Sequence, residues 1–454
     1  MRKIENLNSV LSCGTFFDFA ENINKWYGDS AAFNDGNQTW SYKEVYNMIR
    51  KAYSGINTEN TIYCIDVKNP VLFFATFMAV TISGNIAWLN SSATDEEFIY
   101  ISDAEAINLI NTESDSQLKN DYITDEVSVV AMSSGTTSVS KGVMLTQKNI
   151  LSDTVAGMQL YDYHKGAVYY NVLPYKHLFG LVADLLGPLY SGGTICFCAD
   201  KFNLFRNLCK FKPTHMNLPP AVVYIIERML VVSLDTGKVT GGKLTKIMCA
   251  GASVRKNTCE YLKQKGISVF AAYGLTECSP CVSMNSDLYN KIGSVGVIMP
   301  GIDVLIKDAE ILVRGDIVMK GYWKDKVATD RVLNDGWLRT GDLGYLDEEG
   351  FLFITGRKNN LIVFSDGTKI SPESIEKSIN IIKGVAESLV SASSIKERID
   401  VCIVLEEDSN CDRVKSLVDA LIDERNIKHR INRLYYTKTP LKKNELGKAI
   451  RNGL

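Results

Sequence analysis

An α/β fold with a larger N-terminal part and a smaller C-terminal unit is what this sequence predicts, on three observations. Strand-like and helix-like segments alternate through about the first 300 residues, the texture of a largely parallel sheet covered by helices. From Gly293 to about Phe353 short β runs are separated by Gly and Asp turns, which suggests a small β-barrel-like subdomain. From Gly356-Arg357 onward helix and strand signals alternate again, which marks a second, α+β unit.

The elements follow in order. The apolar stretch Val71 to Ile82 has a helical face in Leu72, Phe73, Phe74, Phe77 and Met78, and it stops at Ser83-Gly84-Asn85. It is too short and too broken to span a bilayer, so it reads as a helix packed on a sheet. Ile86 to Leu89 reads as the strand after it. Val129 to Met132, Thr194 to Cys198, Ile247 to Ala250 and Ser268 to Ala272 read as short buried strands. Asp303 to Lys307, Glu310 to Val313 and Phe351 to Ile354 form the β-rich stretch. Ser371-Pro372-Glu373 is a helix start, with Pro in the first turn and acids near the N-terminus. Asp400 to Leu405 reads as a strand and Asp412 to Arg425 as a helix. No internal repeat or low-complexity segment is visible.

The 454 residues suffice for two or more domains with buried cores. Hydrophobic residues make up 46% and charged residues 22%, ordinary for a globular protein. The net charge of −2 argues against a general affinity for nucleic acid or an anionic membrane. Met1-Arg2-Lys3 is followed by polar residues rather than an apolar stretch, so no signal peptide and no transmembrane segment are expected. Eleven cysteines without a repeating spacing predict reduced thiols in the cytoplasm. Cys278-Ser279-Pro280-Cys281 is a lone CxxC without a second ligand pair, and it reads as part of a loop rather than a redox or zinc motif.

The densest chemistry lies in Ser133-Ser134-Gly135-Thr136-Thr137-Ser138-Val139-Ser140-Lys141-Gly142. Glycines let backbone N–H groups approach an anion, hydroxyls donate to phosphate oxygens, and lysine adds a point charge. Gly142 and Val143 follow the lysine, so this is not the P-loop of the common NTPases. The composition suits a phosphate-cradling turn between strands, and it also suits a plain surface loop.

Further motifs come downstream in a fixed order. They are Tyr273-Gly274-Leu275-Thr276-Glu277, then Trp337-Leu338-Arg339-Thr340-Gly341-Asp342-Leu343-Gly344, then Gly356-Arg357-Lys358-Asn359-Asn360, and near the end Asn444-Glu445-Leu446-Gly447-Lys448. This ordered set resembles the acyl-adenylate-forming superfamily of acyl- and aryl-CoA synthetases, peptide-synthetase adenylation domains and luciferases. The resemblance extends from about Phe16 to Arg451.

The resemblance implies a large domain of two α/β subdomains plus a small β-barrel over residues 1–356, and a mobile α+β domain over 357–454. It assigns Ser133, Ser134, Gly135, Thr136, Thr137 and Lys141 to the β- and γ-phosphates of ATP, Thr276 to the α-phosphate and Glu277 to Mg²⁺. Tyr273 and Gly274 match the adenine-stacking motif, and Gly251, Ala252 and Ser253 match a turn lining the adenine and acyl pockets. Asp342 and Arg357 match ribose-binding residues. Lys448 matches a catalytic lysine that bridges the carboxylate and the α-phosphate, and His177 matches a residue beside the acyl pocket. Two departures stand out: the family usually has glycine where Ser138 stands and proline where Ser140 stands. Asn359 takes the hinge position, where Asp or Lys is usual, and Asn tolerates the backbone change that a hinge needs.

The implied activity is ATP-dependent activation of a carboxylic acid, fatty or aryl, to an acyl-AMP, then transfer to the thiol of CoA. An acyl-carrier protein bearing a phosphopantetheine arm is the alternative acceptor. A non-catalytic nucleotide-binding relative is the alternative outside the class.

Overall fold

The computed structural model describes residues 14–89, 97–113, 116–120, 125–133, 140–198, 203–233, 235–252, 254–407 and 409–442. Two sheets dominate the large part. Six strands of the nine-stranded sheet run parallel, from Ala31–Asn34 through Thr194–Cys196, Val168–Tyr170, His215–Leu218 and Lys246–Cys249 to Ser268–Gly274. Antiparallel strands close its two edges. The six-stranded sheet has a parallel half built on Ile62–Asp66, Ile86–Leu89, Ile99–Ser102 and Val127–Met132. Its other half is antiparallel, with Gly142–Thr146 and Gly321–Tyr322.

A single core cluster joins the two sheets, with Val129 and Leu145 from one and Ile195, Met248 and Phe270 from the other. The helix Pro70–Ile82 lies within it and is buried on nearly every face. This follows from its composition, since a helix apolar all round has no face suited to water. Asn69 caps it, its side-chain oxygen accepting from Val71 and Leu72 N–H, and Pro70 opens the first turn. The helix Gln147–Leu160 starts with a capping box in which Thr146 and Asn149 satisfy each other's backbone N–H groups. Its Asp153, almost fully buried, accepts from Cys281 N–H at 3.0 Å.

The β-rich stretch forms a five-stranded antiparallel sheet from Ile302–Lys307 to Leu352–Arg357. Its last strand runs three residues beyond the expected Ile354, because Arg357 stands opposite Asp342 on Trp337–Leu346. Arg357, where the second unit was expected to begin, therefore ends a strand of this sheet.

The C-terminal unit has its own core, with a three-stranded sheet of Val385–Ala392, Ile399–Leu405 and Ile431–Thr437. Helices Pro372–Ile379 and Cys411–Glu424 cover it, capped by Ser371 and Asn410. It meets the large part through exposed or half-buried polar contacts: Arg255 with Glu406, Arg228 with Glu407, and Lys377 Nζ donating to Gly293 O. Among the described residues no helix is long and apolar enough to cross a membrane.

Candidate active site

The carboxyl ends of the parallel strands gather the motif residues, the end of an open α/β sheet where ligands bind. Gly251-Ala252 follow Lys246–Cys249 one residue on, after Ala250, and both are exposed. Gly251 has φ +89°, and a Cβ there would meet nothing within 4 Å, so backbone lies open to an incoming group. Next to them, Ser268–Gly274 runs two residues past the expected Ala272, since Tyr273 pairs with Ser283 across an antiparallel edge. Gly274 ends it, and a Cβ there would lie 1.8 Å from Pro280 O, so only glycine permits this approach. A single 3₁₀ turn, Thr276–Cys278, then presents Thr276 and Glu277 half-buried.

Tyr273, Asp342 and Arg357 form one buried network. Tyr273 Oη donates to Asp342 Oδ2 at 2.9 Å, and Arg357 Nε donates to Asp342 Oδ1 at 2.7 Å. The Asp342 backbone N–H donates to Thr340 Oγ1 at 3.0 Å. Asp342 is 3% exposed, so its carboxyl oxygens are met by Tyr273 and Arg357 rather than by bulk water. Burial pushes the Tyr273 phenol well up, with the Asp342 carboxylate adding, and keeps it a proton donor. Burial penalises the Arg357 guanidinium, but Asp342, Tyr273 and Glu277 outweigh this and raise its pKa.

The second cluster surrounds Glu277. Tyr322 Oη donates to Glu277 Oε1 at 2.8 Å, and the Glu277 carbonyl accepts from Met319 N–H at 3.0 Å. Lys141 Nζ lies 4.7 Å from the centre of the Tyr322 ring, a cation–π contact. Lys141 immediately precedes Gly142–Thr146, next to the pairing of Gly142 with Met132 of Val127–Met132, and is locked there by Ser133: Ser133 N–H donates to Lys141 O at 2.8 Å and Lys141 N–H to Ser133 Oγ at 3.0 Å. Ser134, Gly135, Thr136, Thr137 and Ser138 lie outside the described residues, as do Ser253 and Lys448.

Sequence reasoning missed Tyr322, the residue that joins the hairpin lysine to Glu277. Its only signal is an aromatic between Gly321 and Trp323, without a spacing that points to the site. It also missed Asp184. His177 starts the short helix Leu178–Leu181, which continues into a π-helical turn, Val182–Leu186. Asp184 on that turn is fully buried and accepts from Asn171 Nδ2 at 2.6 Å and Asn217 Nδ2 at 3.1 Å, tying the residue after Val168–Tyr170 and the strand His215–Leu218 to the segment that carries His177.

Burial pushes the Asp184 carboxyl from 3.8 up to about 6, against the hydrogen bonds that favour its charged form. Between those values the folded chain holds a proton that the unfolded chain has released, so stability falls as pH rises through that window. The shift corresponds to roughly 3 kcal/mol. Asp184→Asn is expected to flatten this fall, read as urea midpoints measured from about pH 4 to about pH 7.

None of the ten described cysteines is joined to another by a disulfide. Burial pushes Cys278 and Cys281 well up, so both stay protonated, as suits a packed turn rather than a redox pair.

Comparison with known proteins places these features in context. The profile of the family described as "AMP-binding enzyme" matches residues 108–323. A long-chain-fatty-acid–CoA ligase of Bacillus subtilis (strain 168) is 29% identical over 350 residues, which are 72% of this chain and 61% of that protein. A 4-coumarate–CoA ligase-like protein of Oryza sativa subsp. japonica is 30% identical over 291 residues, 58% of this chain and 51% of that protein. The chain thus spans less than two thirds of the length of either relative. Among solved structures, O-succinylbenzoate Coenzyme A Synthetase (MenE) from Bacillus subtilis, in complex with ATP and magnesium ion, superposes with a TM-score of 0.77 at 21% identity, covering 96% of this chain and 98% of that one. ATP-bound MatB from Rhodopseudomonas palustris gives 0.81 at 20% identity, covering 95% and 97%. These two structures share the fold described above.

Proposed function

We propose that this chain, which belongs to the AMP-binding enzyme family, activates a carboxylic acid with ATP and passes the acyl group to a thiol. The observation that carries this reading is the Tyr273–Asp342–Arg357 network standing beside Thr276-Glu277 and Lys141 at one end of the sheet. The donor set fits a magnesium–nucleotide complex. It holds one half-buried carboxylate, hydroxyls at Ser133 and Thr276, a lysine, and open backbone at Gly251.

Each residue then has a task. Asp342 accepts from ribose hydroxyls through lone pairs left over from Tyr273 and Arg357, since each carboxylate oxygen offers two. Arg357 pairs with that carboxylate and holds it in place, and the Tyr273 ring offers a face to the adenine. Glu277 would hold Mg²⁺, which when bound neutralises phosphate charge. Lys141 and Ser133 donate to the β- and γ-phosphates and Thr276 to the α-phosphate. Lys448 is proposed to bridge the carboxylate and the α-phosphate as charge builds between them. In the first step the carboxylate oxygen bonds to the α-phosphorus and the bond to pyrophosphate breaks. In the second a thiolate attacks the acyl carbon and AMP leaves.

The proposed division has residues 1–356, with Arg357 at the strand end, hold nucleotide and acid while the rest of the C-terminal unit swings about Asn359, which is exposed in the 3₁₀ turn Lys358–Asn360. The ion pairs at Arg228–Glu407 and Arg255–Glu406 would break in that swing. The Arg228–Glu407 pair is exposed and contributes only about 0–1 kcal/mol, so it does not resist the swing.

A fatty or aryl acid suits the apolar surroundings of His177, where Leu178 and Leu181 are buried. The names of the relatives support CoA as the acceptor. The test incubates the chain with ATP, Mg²⁺ and a panel of fatty and aryl acids, offering CoA and a phosphopantetheinylated carrier protein separately. An acyl-CoA is the expected product. Acyl transfer to the carrier protein with none to CoA would replace CoA by the alternative acceptor.

A further inference from the structure

We infer that Asp162, His164 and His215 form a binding site for a divalent d-block cation, with Zn²⁺ the best match, at the end of the nine-stranded sheet away from the nucleotide residues. His215 is the first residue of His215–Leu218, and Lys246 is the first of Lys246–Cys249, whose far end leads to Gly251. Asp162 and His164 lie in the connection after the helix Gln147–Leu160. One ligand atom from each of Asp162, His164 and His215 falls within 4.8 Å of the others.

The hydrogen bonds around the two imidazoles prepare them as ligands. His215 Nδ1 lies 2.8 Å from Thr214 Oγ1. That hydroxyl has a single proton, and it has the Val168 carbonyl to donate to at 3.1 Å. His215 Nδ1 therefore carries the proton and donates to Thr214, which leaves Nε2 as a bare lone pair. His215 is 1% exposed, and Nε2 is buried without a hydrogen-bond partner among the described residues. A buried lone pair without a donor wants one or wants a cation. His164 repeats the pattern, its Nδ1 lying 3.0 Å from the Asp162 carbonyl oxygen. Ligating histidines typically have the other ring nitrogen bonded in this way, to a carbonyl or a carboxylate.

The charges agree. Asp162 and Asp287 both pair with Lys246, so two carboxylates face one ammonium and the neighbourhood keeps a net negative charge before any cation arrives. Lys246 holds Asp162 Oδ2, while Oδ1 lies 3.5 Å from His164 Nδ1. Two imidazoles and one carboxylate select zinc and its neighbours in the transition series over Mg²⁺ or Ca²⁺, which prefer all-oxygen sites. The site therefore differs from the Mg²⁺ role of Glu277 in both place and chemistry.

The test strips the full chain with a chelator and titrates it with Co²⁺ and then Zn²⁺, without nucleotide. We expect one equivalent of Co²⁺ with visible d–d bands, no thiolate-to-cobalt charge transfer, displacement by Zn²⁺, and no displacement by excess Mg²⁺. His164→Ala removes an exposed side chain and leaves the fold intact, so it should weaken binding at least ~10-fold. Absence of the bands, a thiolate charge-transfer band, or equal affinity in His164→Ala would overturn the site.

Discussion

Asp342→Ala is expected to reduce ATP–pyrophosphate exchange on the order of a hundredfold, because the proposed preorganised contact to the nucleotide is lost. The same change should cost roughly 2–3 kcal/mol of folding stability. Asp342 is the buried acceptor for both Arg357 and Tyr273, and its removal leaves a cation and a phenol without their partner. The stability figure sits below the range for fully buried pairs because the Arg357 side chain is 34% exposed and water compensates it in part. Asp342→Asn keeps the shape and an acceptor oxygen, so it should recover most of the stability but little of the exchange. Thermal midpoints and exchange rates on the two variants separate a structural role from a nucleotide-binding one. Equal exchange in Asp342→Asn and wild type would remove Asp342 from the site.

The second large effect is expected at Lys448. Lys448→Ala should lower exchange on the order of a hundredfold or more, the loss of a charge donor worth ~3 kcal/mol in the transition state. Thioester formation from pre-made acyl-AMP should be nearly spared, because the proposed swing of the C-terminal unit takes Lys448 away before the second step. Equal losses in both half-reactions would make Lys448 structural.

How much of this was readable from the chain depends on how far apart the partners lie. The helix Pro70–Ile82 was legible because an unbroken apolar run has one reasonable place to go. The helix start at Ser371-Pro372-Glu373 is a local effect and shows in a few residues. The motif residues Tyr273, Thr276, Glu277, Asp342 and Arg357 were legible as motifs. Their mutual contacts were not, since the Asp342–Arg357 pair depends on the register of two strands.

Tyr322 and Glu277 are 45 residues apart and meet only because Gly321–Tyr322 adds to the edge of Gly142–Thr146. Asp184 sits in an apolar helical segment, with one partner just past an earlier strand and the other on a later one, and a lone Asp in such a run carries no sequence signal of its own. His164 and His215 lie 51 residues apart by their numbering, and nothing local to either points to the other. The strands that ran past their expected ends, at Tyr273-Gly274 and at Thr355 to Arg357, did so because a pairing partner lay elsewhere in the chain.

The central claim is that this site joins a carboxylate to the α-phosphate of ATP, and exchange of labelled pyrophosphate into ATP measures that step alone. With a panel of fatty and aryl acids, exchange should appear with at least one acid, vanish without acid, and stop when EDTA removes the divalent cation. Exchange that survives EDTA would contradict the role of Glu277. No exchange with any acid, in folded protein that binds ATP, would contradict the activity itself.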